Sequence, residues 1–592
     1  NPPADPVGHN GGADHRRWIA RGDRQGGRNV HDLIIRAGTV VDGTGSAART
    51  ADVAITDGII SEVGRVDGPA RRELDADGLL VTPGFVDIHT HFDGQVTWDP
   101  MLTPTCWHGV TTVVMGNCGV GFAPVHPDRH DWLIGLMEGV EDIPGAALSD
   151  GIRWSWETFP EYLDAVDRAP KMLDVGTQVP HGAVRAYVMG ERGARNEPAT
   201  ADDIEMMAAI VGEAVRAGAL GFSTSRTIAH MAIDGEPVPG TFAAEDELFG
   251  IGAALAEAGT GVFELAPAGA LGEDLAAPDT EMAWMRRLGA AIDRPIVFAL
   301  TQNDHDPLAY RRMLELSAEA QDEGSLVIPQ VASRPINLLL GLQTFHPFSY
   351  CPSWSEVGLL SIAERVRAMG DPAFRERLLA EVGEMDPAMA QFLDPERVVT
   401  MGAVPDYEPS LDQTIGARAR ARGISPWELY YDDLLGDDGD ALIMRPLLNY
   451  SDFNLDAVHE MLSSPVTRWG LGDGGAHCGT TCDASAATFL LTHWARDRAD
   501  GLPVEQAVRT LTSDTASLYG LGDRGVLAAG RVGDVNLIDL DALSLRRPEM
   551  VHDLPGDARR FIQRADGYRA TVKSGEVTLV DGEDQGARPG RL

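Results

Sequence analysis

The chain is 592 residues long and 44% hydrophobic, enough for one large domain with accessory structure and a sizeable core. Its 89 Asp and Glu against 49 Lys and Arg leave a formal charge of −40, which repels nucleic-acid phosphates and anionic membranes and argues against both as partners. No apolar run approaches the roughly 20 residues needed to cross a bilayer, and the five scattered cysteines, Cys106, Cys118, Cys351, Cys478 and Cys482, form no disulfide framework, so a reducing, cytoplasmic setting is expected.

Residues 1–30, rich in Gly, Pro, Asp and Arg without periodicity, read as a flexible tail. Residues 31–84 then run as short strand patterns separated by Asp-Gly turns, and 521–592 do the same with DVNLIDLDAL and YRATVKSGEVTLVDGE. Strand-rich ends flanking a different pattern predict one small β-sandwich domain built from both chain ends. Between them, over 85–520, helix-period and strand-period segments alternate, as in DDIEMMAAIVGEAVRAGA followed by GFSTS and DELFGIGAALAEAG followed by VFELAP. That alternation predicts an α/β fold, a TIM-like (β/α)8 barrel. Two stretches, near 125–170 and 340–433, are too long for ordinary connections and read as insertions over one face.

The chemistry gathers at predicted strand ends. Phe85-Val86-Asp87-Ile88 runs into His89-Thr90-His91, and in a strand residues i and i+2 point to one side, so both imidazoles can face one cation. Neutral imidazole is a good ligand for zinc and similar metals. The next apolar run, Thr111 to Met115, delivers Cys118, and the late run VTRWGLGDGG delivers Asp473. In a closed barrel the last strand lies beside the first, which sets Asp473 next to the two histidines.

In the phrases TPGFVDIHTHFD, HGVTTVVMGNCGVGFAP, PHGAVRAYVMG, GALGFSTS and DGEPVPGTFA the chain resembles the amidohydrolase superfamily, and within it the N-acyl-D-amino-acid deacylases, over nearly everything after residue 30. The resemblance implies a divalent metal, zinc above all, held by His89, His91, Cys118 and Asp473, with Asp473 also the proton shuttle for a small-molecule amide substrate. Glu264 and Leu300 stand where that family carries two further metal-binding histidines. Glu264 keeps a ligand atom and Leu300 has none. Gln302 and Gln330 likewise replace the family's substrate-carboxylate residues, leaving His181, Arg185, Arg334 and His477 as candidate substrate contacts. The expected activity is hydrolysis of a linear amide such as an N-acyl amino acid; a cyclic-amide hydrolase, or a non-catalytic binding protein on the same fold, are the alternatives. A homo-oligomer is compatible with all of this.

Overall fold

The structure, a computed structural model, describes residues 30–592. The tail expected over 1–30 lies outside the described residues except for its last position.

Both ends of the chain build one nine-stranded sheet. His31–Val40 pairs antiparallel with Arg49–Thr56 and parallel with Ala70–Asp75 and Leu80–Pro83. Leu80–Pro83 in turn pairs antiparallel with Val535–Ile538, which carries Tyr568–Lys573 and Glu576–Val580 onward. Alternation along these strands buries Leu33, Ile35, Val53, Ile55, Val535, Leu537 and Val572 in one core distinct from that of the rest of the chain.

The middle of the chain supplies eight parallel strands in two sheets. Strands β1 (Phe85–Asp87), β2 (Val110–Met115) and β3 (Asp174–Thr177) form the first. After Gln178 the chain re-enters pairing at Val179–Pro180, beside β4 (Gly221–Ser225). From there β5 (Val262–Ala266), β6 (Ile296–Ala299), β7 (Val327–Val331) and β8 (Arg468–Trp469) follow in order. β8 connects back to β1 through a parallel bridge between Thr90 and Gly474, with His91 N–H donating to the Gly474 carbonyl at 2.8 Å and Asp473 N–H to the His89 carbonyl at 3.0 Å. β2 shows why these segments are strands: five of its six residues are β-branched, and all six are buried. The fold is therefore mixed α/β.

Two helical stretches interrupt the run of parallel strands. Between β2 and β3 lie three helices, His130–Glu141, Gly145–Gly151 and Phe159–Arg168; the last starts at Thr158 with a capping box closed by Glu161. Between β7 and β8 an antiparallel pair, Ile336–Leu340 with Ile443–Leu448, frames a helical segment whose buried Phe348, Phe374, Leu378, Tyr430 and Tyr431 make a core of their own. A second core explains why 340–433 broke the βα repeat.

The terminal sheet and the parallel strands are tied by buried charge. Lys573 Nζ, with no exposed surface, lies 3.0 Å from Asp534 Oδ1 and 2.9 Å from Asp174 Oδ2, at the start of β3. Lys573→Met is expected to destabilise the protein by about 3–5 kcal/mol, because it leaves the buried Asp534 carboxylate without its cation, while Asp174 keeps Arg524 at 2.5 Å. A urea midpoint within error of the parent's would contradict this.

Candidate metal centre

The carboxyl ends of β1, β2, β5 and β8 converge. His89, His91 and Cys118, all buried, place one ligand atom each within 4.8 Å of one another. His89 Nε2 is 3.4 Å from Cys118 Sγ and 3.3 Å from Asp473 Oδ1, and His91 Nε2 is 3.7 Å from the same oxygen. Glu264, fully buried on β5, accepts the Cys118 N–H through Oε2 at 2.9 Å, and its Oε1 lies 3.9 Å from His89 Nδ1 without a hydrogen bond. Leu300, just after β6, is buried and offers no donor atom.

Backbone strain marks the same place. Cys118, Asp473 and His477 have φ of +55°, +45° and +49°, a region non-glycine residues enter at a cost of about 1–3 kcal/mol each. The strands end, the chain turns sharply, and the ligand-type side chains are aimed inward.

Electrostatics in this cluster favour a cation. Burial, then the charges of Glu264, Glu141 and Asp473, push the Cys118 thiol well above its usual range, so a thiolate forms there only beside a positive charge. Burial holds Glu264 up at about 8. Burial also pushes the Asp473 carboxyl up, but the imidazoles of His91, His89 and His477 beside it outweigh burial, and the net shift is downward. His91 is held down at about 4, first by burial. Two buried imidazoles facing a carboxylate and a sulfur are a donor set that suits zinc. A buried Glu264 oxygen without a partner fits the same group.

Gln330, on β7, has a part that its position in the sequence did not disclose. Its Oε1 accepts from His89 Nδ1 at 2.8 Å, which leaves Nε2 as the lone-pair nitrogen turned toward Cys118 and Asp473. Two further residues reach the cluster unforeseen. Glu141, the last residue of His130–Glu141, lies 3.3 Å from His91 Nδ1. His230, in the loop after β4, bonds Ser225 Oγ at 3.0 Å, and burial first, then the neighbouring His477 and His91, hold it down at about 3. The only signal for His230 was a histidine five residues past a strand on the ligand-bearing side.

The candidate substrate contacts divide. His477 is 34% exposed and lies 3.7 Å from Glu141 Oε2, at the edge of the cluster. His181 has both nitrogens engaged, Nε2 with Glu247 Oε1 and Nδ1 with Thr224 Oγ1, each at 2.8 Å. Arg185 is bound to the same Glu247 carboxylate at 2.6 Å. Arg334, 2% exposed, pairs with Asp483 at 2.9 Å and stacks 4.2 Å over Tyr407. These three residues serve buried ion pairs. Cys478 and Cys482 are free buried thiols.

A strand-end cluster of two histidines, a cysteine and an aspartate on parallel strands defines a metallohydrolase class, and comparison with known proteins narrows it. The model of the amidohydrolase family matches residues 72–579, and the chain belongs to that family, hydrolases of amide carbon–nitrogen bonds. It is 27% identical to an uncharacterized protein of Mycobacterium tuberculosis (strain H37Rv), covering 94% of this chain and 92% of that one. It is 26% identical to D-aminoacylase of Alcaligenes xylosoxydans xylosoxydans, covering 86% and 88%. Among solved structures, N-acyl-D-glutamate deacylase of Bordetella bronchiseptica, complexed with zinc and a phosphonate inhibitor that mimics the tetrahedral intermediate, superposes with a TM-score of 0.62 at 22% identity, covering 95% and 99%. No described helix is long and apolar enough to cross a membrane.

Proposed function

We propose that this chain hydrolyses a linear amide of the N-acyl amino acid type at one principal metal held by His89, His91 and Asp473, with Cys118 and Glu264 beside it. The eight parallel strands would then form a single closed (β/α)8 barrel, with the terminal sheet as a small flanking β domain. The observation that carries the reading is the meeting of both His-x-His imidazoles with Cys118 and Asp473 at the carboxyl ends of neighbouring strands. Deacylase relatives covering most of the chain support the reaction type.

When bound, a divalent cation such as zinc supplies Lewis acidity, which polarises a carbonyl and brings the pKa of water to about 7. The residues do the rest. His89, oriented by Gln330, and His91 would bind the cation through Nε2. Asp473, held ionised by the imidazoles around it, accepts the proton of the attacking water at a carboxylate oxygen and returns it to the leaving nitrogen. Leu300 removes one donor from the β6 side, which favours one metal over two.

Metal content and turnover test this together. Protein purified without chelator is expected to hold about one divalent metal per chain, to lose amide hydrolysis on chelation and to regain it with zinc. Far less than one metal with no turnover would sink the proposal. Hydantoin turnover above that of N-acyl amino acids would transfer it to cyclic amides.

A further inference from the structure

Glu141 occupies a position that structure alone disfavours in three ways. It is 2% exposed. It sits at the C-terminal end of the helix His130–Glu141, where the helix dipole repels negative charge. Its electrostatic surroundings are the carboxylates Asp473, Asp93 and Glu264. A carboxylate placed so needs positive or proton-donating partners, and those it has are imidazoles. Oε1 stands 3.3 Å from His91 Nδ1, a buried nitrogen with no closed hydrogen bond to any group, so Glu141 is the acceptor within reach of it, and Oε2 stands 3.7 Å from His477 Nε2. The backbone doubles the second link, since the Glu141 carbonyl accepts the N–H of His477.

We propose that Glu141 is the positioning residue of this centre: its carboxylate keeps the proton of His91 on Nδ1, turns Nε2 inward, and holds the His477 imidazole at the mouth where substrate enters. The inference rests on the proposed metal function. It gives each histidine of the His-x-His pair an acceptor at Nδ1, Gln330 hydrogen-bonded to His89 at 2.8 Å and Glu141 3.3 Å from His91. It also gives the 125–170 insertion a task, because Glu141 is the point where that insertion touches both β1's ligand and the loop after β8.

A neutral imidazole carries its proton on one nitrogen, and an acceptor beside Nδ1 favours the tautomer whose Nε2 lone pair is free. Outer partners of this kind change metal affinity by about 10–100-fold. Leucine at 141 removes both contacts, whereas glutamine keeps one carbonyl acceptor at nearly the same place and loses the charge.

The experiment is zinc binding by competition with a chromogenic chelator, on wild type, Glu141→Leu, Glu141→Gln and, as a same-helix control, Glu138→Gln. Melting of each metal-free protein is measured alongside, and KM and kcat are measured for His477→Asn. We expect Glu141→Leu to weaken zinc about 10–100-fold, Glu141→Gln to restore part of that loss, and Glu138→Gln to match wild type. His477→Asn should raise KM while leaving zinc affinity alone. Should Glu141→Leu prove too unstable to assay, the near-isosteric Glu141→Gln carries the test by itself. Wild type that binds zinc while both Glu141 variants bind it equally tightly overturns the inference and leaves the proposed function standing. Wild type that binds no zinc overturns both. Loss in Glu141→Leu and Glu141→Gln alike, matched by an equal fall in metal-free melting, would reduce Glu141 to a packing role and also overturn it.

Discussion

His91→Ala is expected to empty the metal centre. His91 is 2% exposed, contributes one of three ligand atoms within 4.8 Å of one another, and its Nε2 lies 3.7 Å from Asp473 Oδ1. Alanine removes the imidazole nitrogen through which the proposed centre would bind. Metal affinity should fall beyond the roughly 10–100-fold that losing an outer partner costs, and amide hydrolysis should fall with it to background. His89→Ala should behave alike, since His89 Nε2 faces both Cys118 and Asp473. Elemental analysis after dialysis against chelator, with turnover on N-acyl amino acids, is the check. Two alanine variants that keep full metal and full rate would place the centre elsewhere.

Asp473→Asn separates holding the metal from moving the proton. The amide has almost the shape of the carboxylate, and the backbone hydrogen bond from Asp473 N–H to the His89 carbonyl does not depend on the side chain. The fold and part of the metal affinity should therefore survive. The lost function is proton transfer, because an amide oxygen cannot take and return a proton at ordinary pH, so kcat should fall about 10²–10⁴-fold with a smaller change in bound metal. A variant that turns over at the parent rate would remove Asp473 from the chemistry, and one with no metal at all would make it chiefly a ligand.

Much of this centre was legible because it obeys short-range rules. His89 and His91 share a face by the two-residue period of a strand, and Cys118 and Asp473 each end an apolar run. Glu264 and Leu300 are placed by the resemblance to the deacylases, which carry histidines at those strand ends. What was hidden depends on distant segments meeting. Gln330 looks like a lost substrate contact until the fold brings it within reach of His89, which it meets through its side-chain carbonyl. Glu141 ends an amphipathic helix whose other residues, Leu133, Leu136, Met137 and Val140, read simply as core. His181, Arg185 and Arg334 looked available for substrate because their partners Glu247 and Asp483 lie 66, 62 and 149 residues away in the chain. Of the fold, the alternation of helix and strand announced the α/β class, whereas the separate core between β7 and β8 has no period that distinguishes it from a long loop.

The pairing of Leu80–Pro83 with Val535–Ile538 also governs time. In this ladder Pro83 lies opposite Val535, so one edge of this sheet waits some 450 residues for its neighbour. At about 5–20 residues per second that interval is roughly 20–90 s. Throughout it, Leu80 and Val81, both buried in the finished molecule, border an open ladder of unpaired amides and carbonyls. The parallel strands can begin to associate during that wait, but the terminal sheet closes only when the last part of the chain arrives, which makes it the slowest region to mature and the one most exposed to mispairing during synthesis.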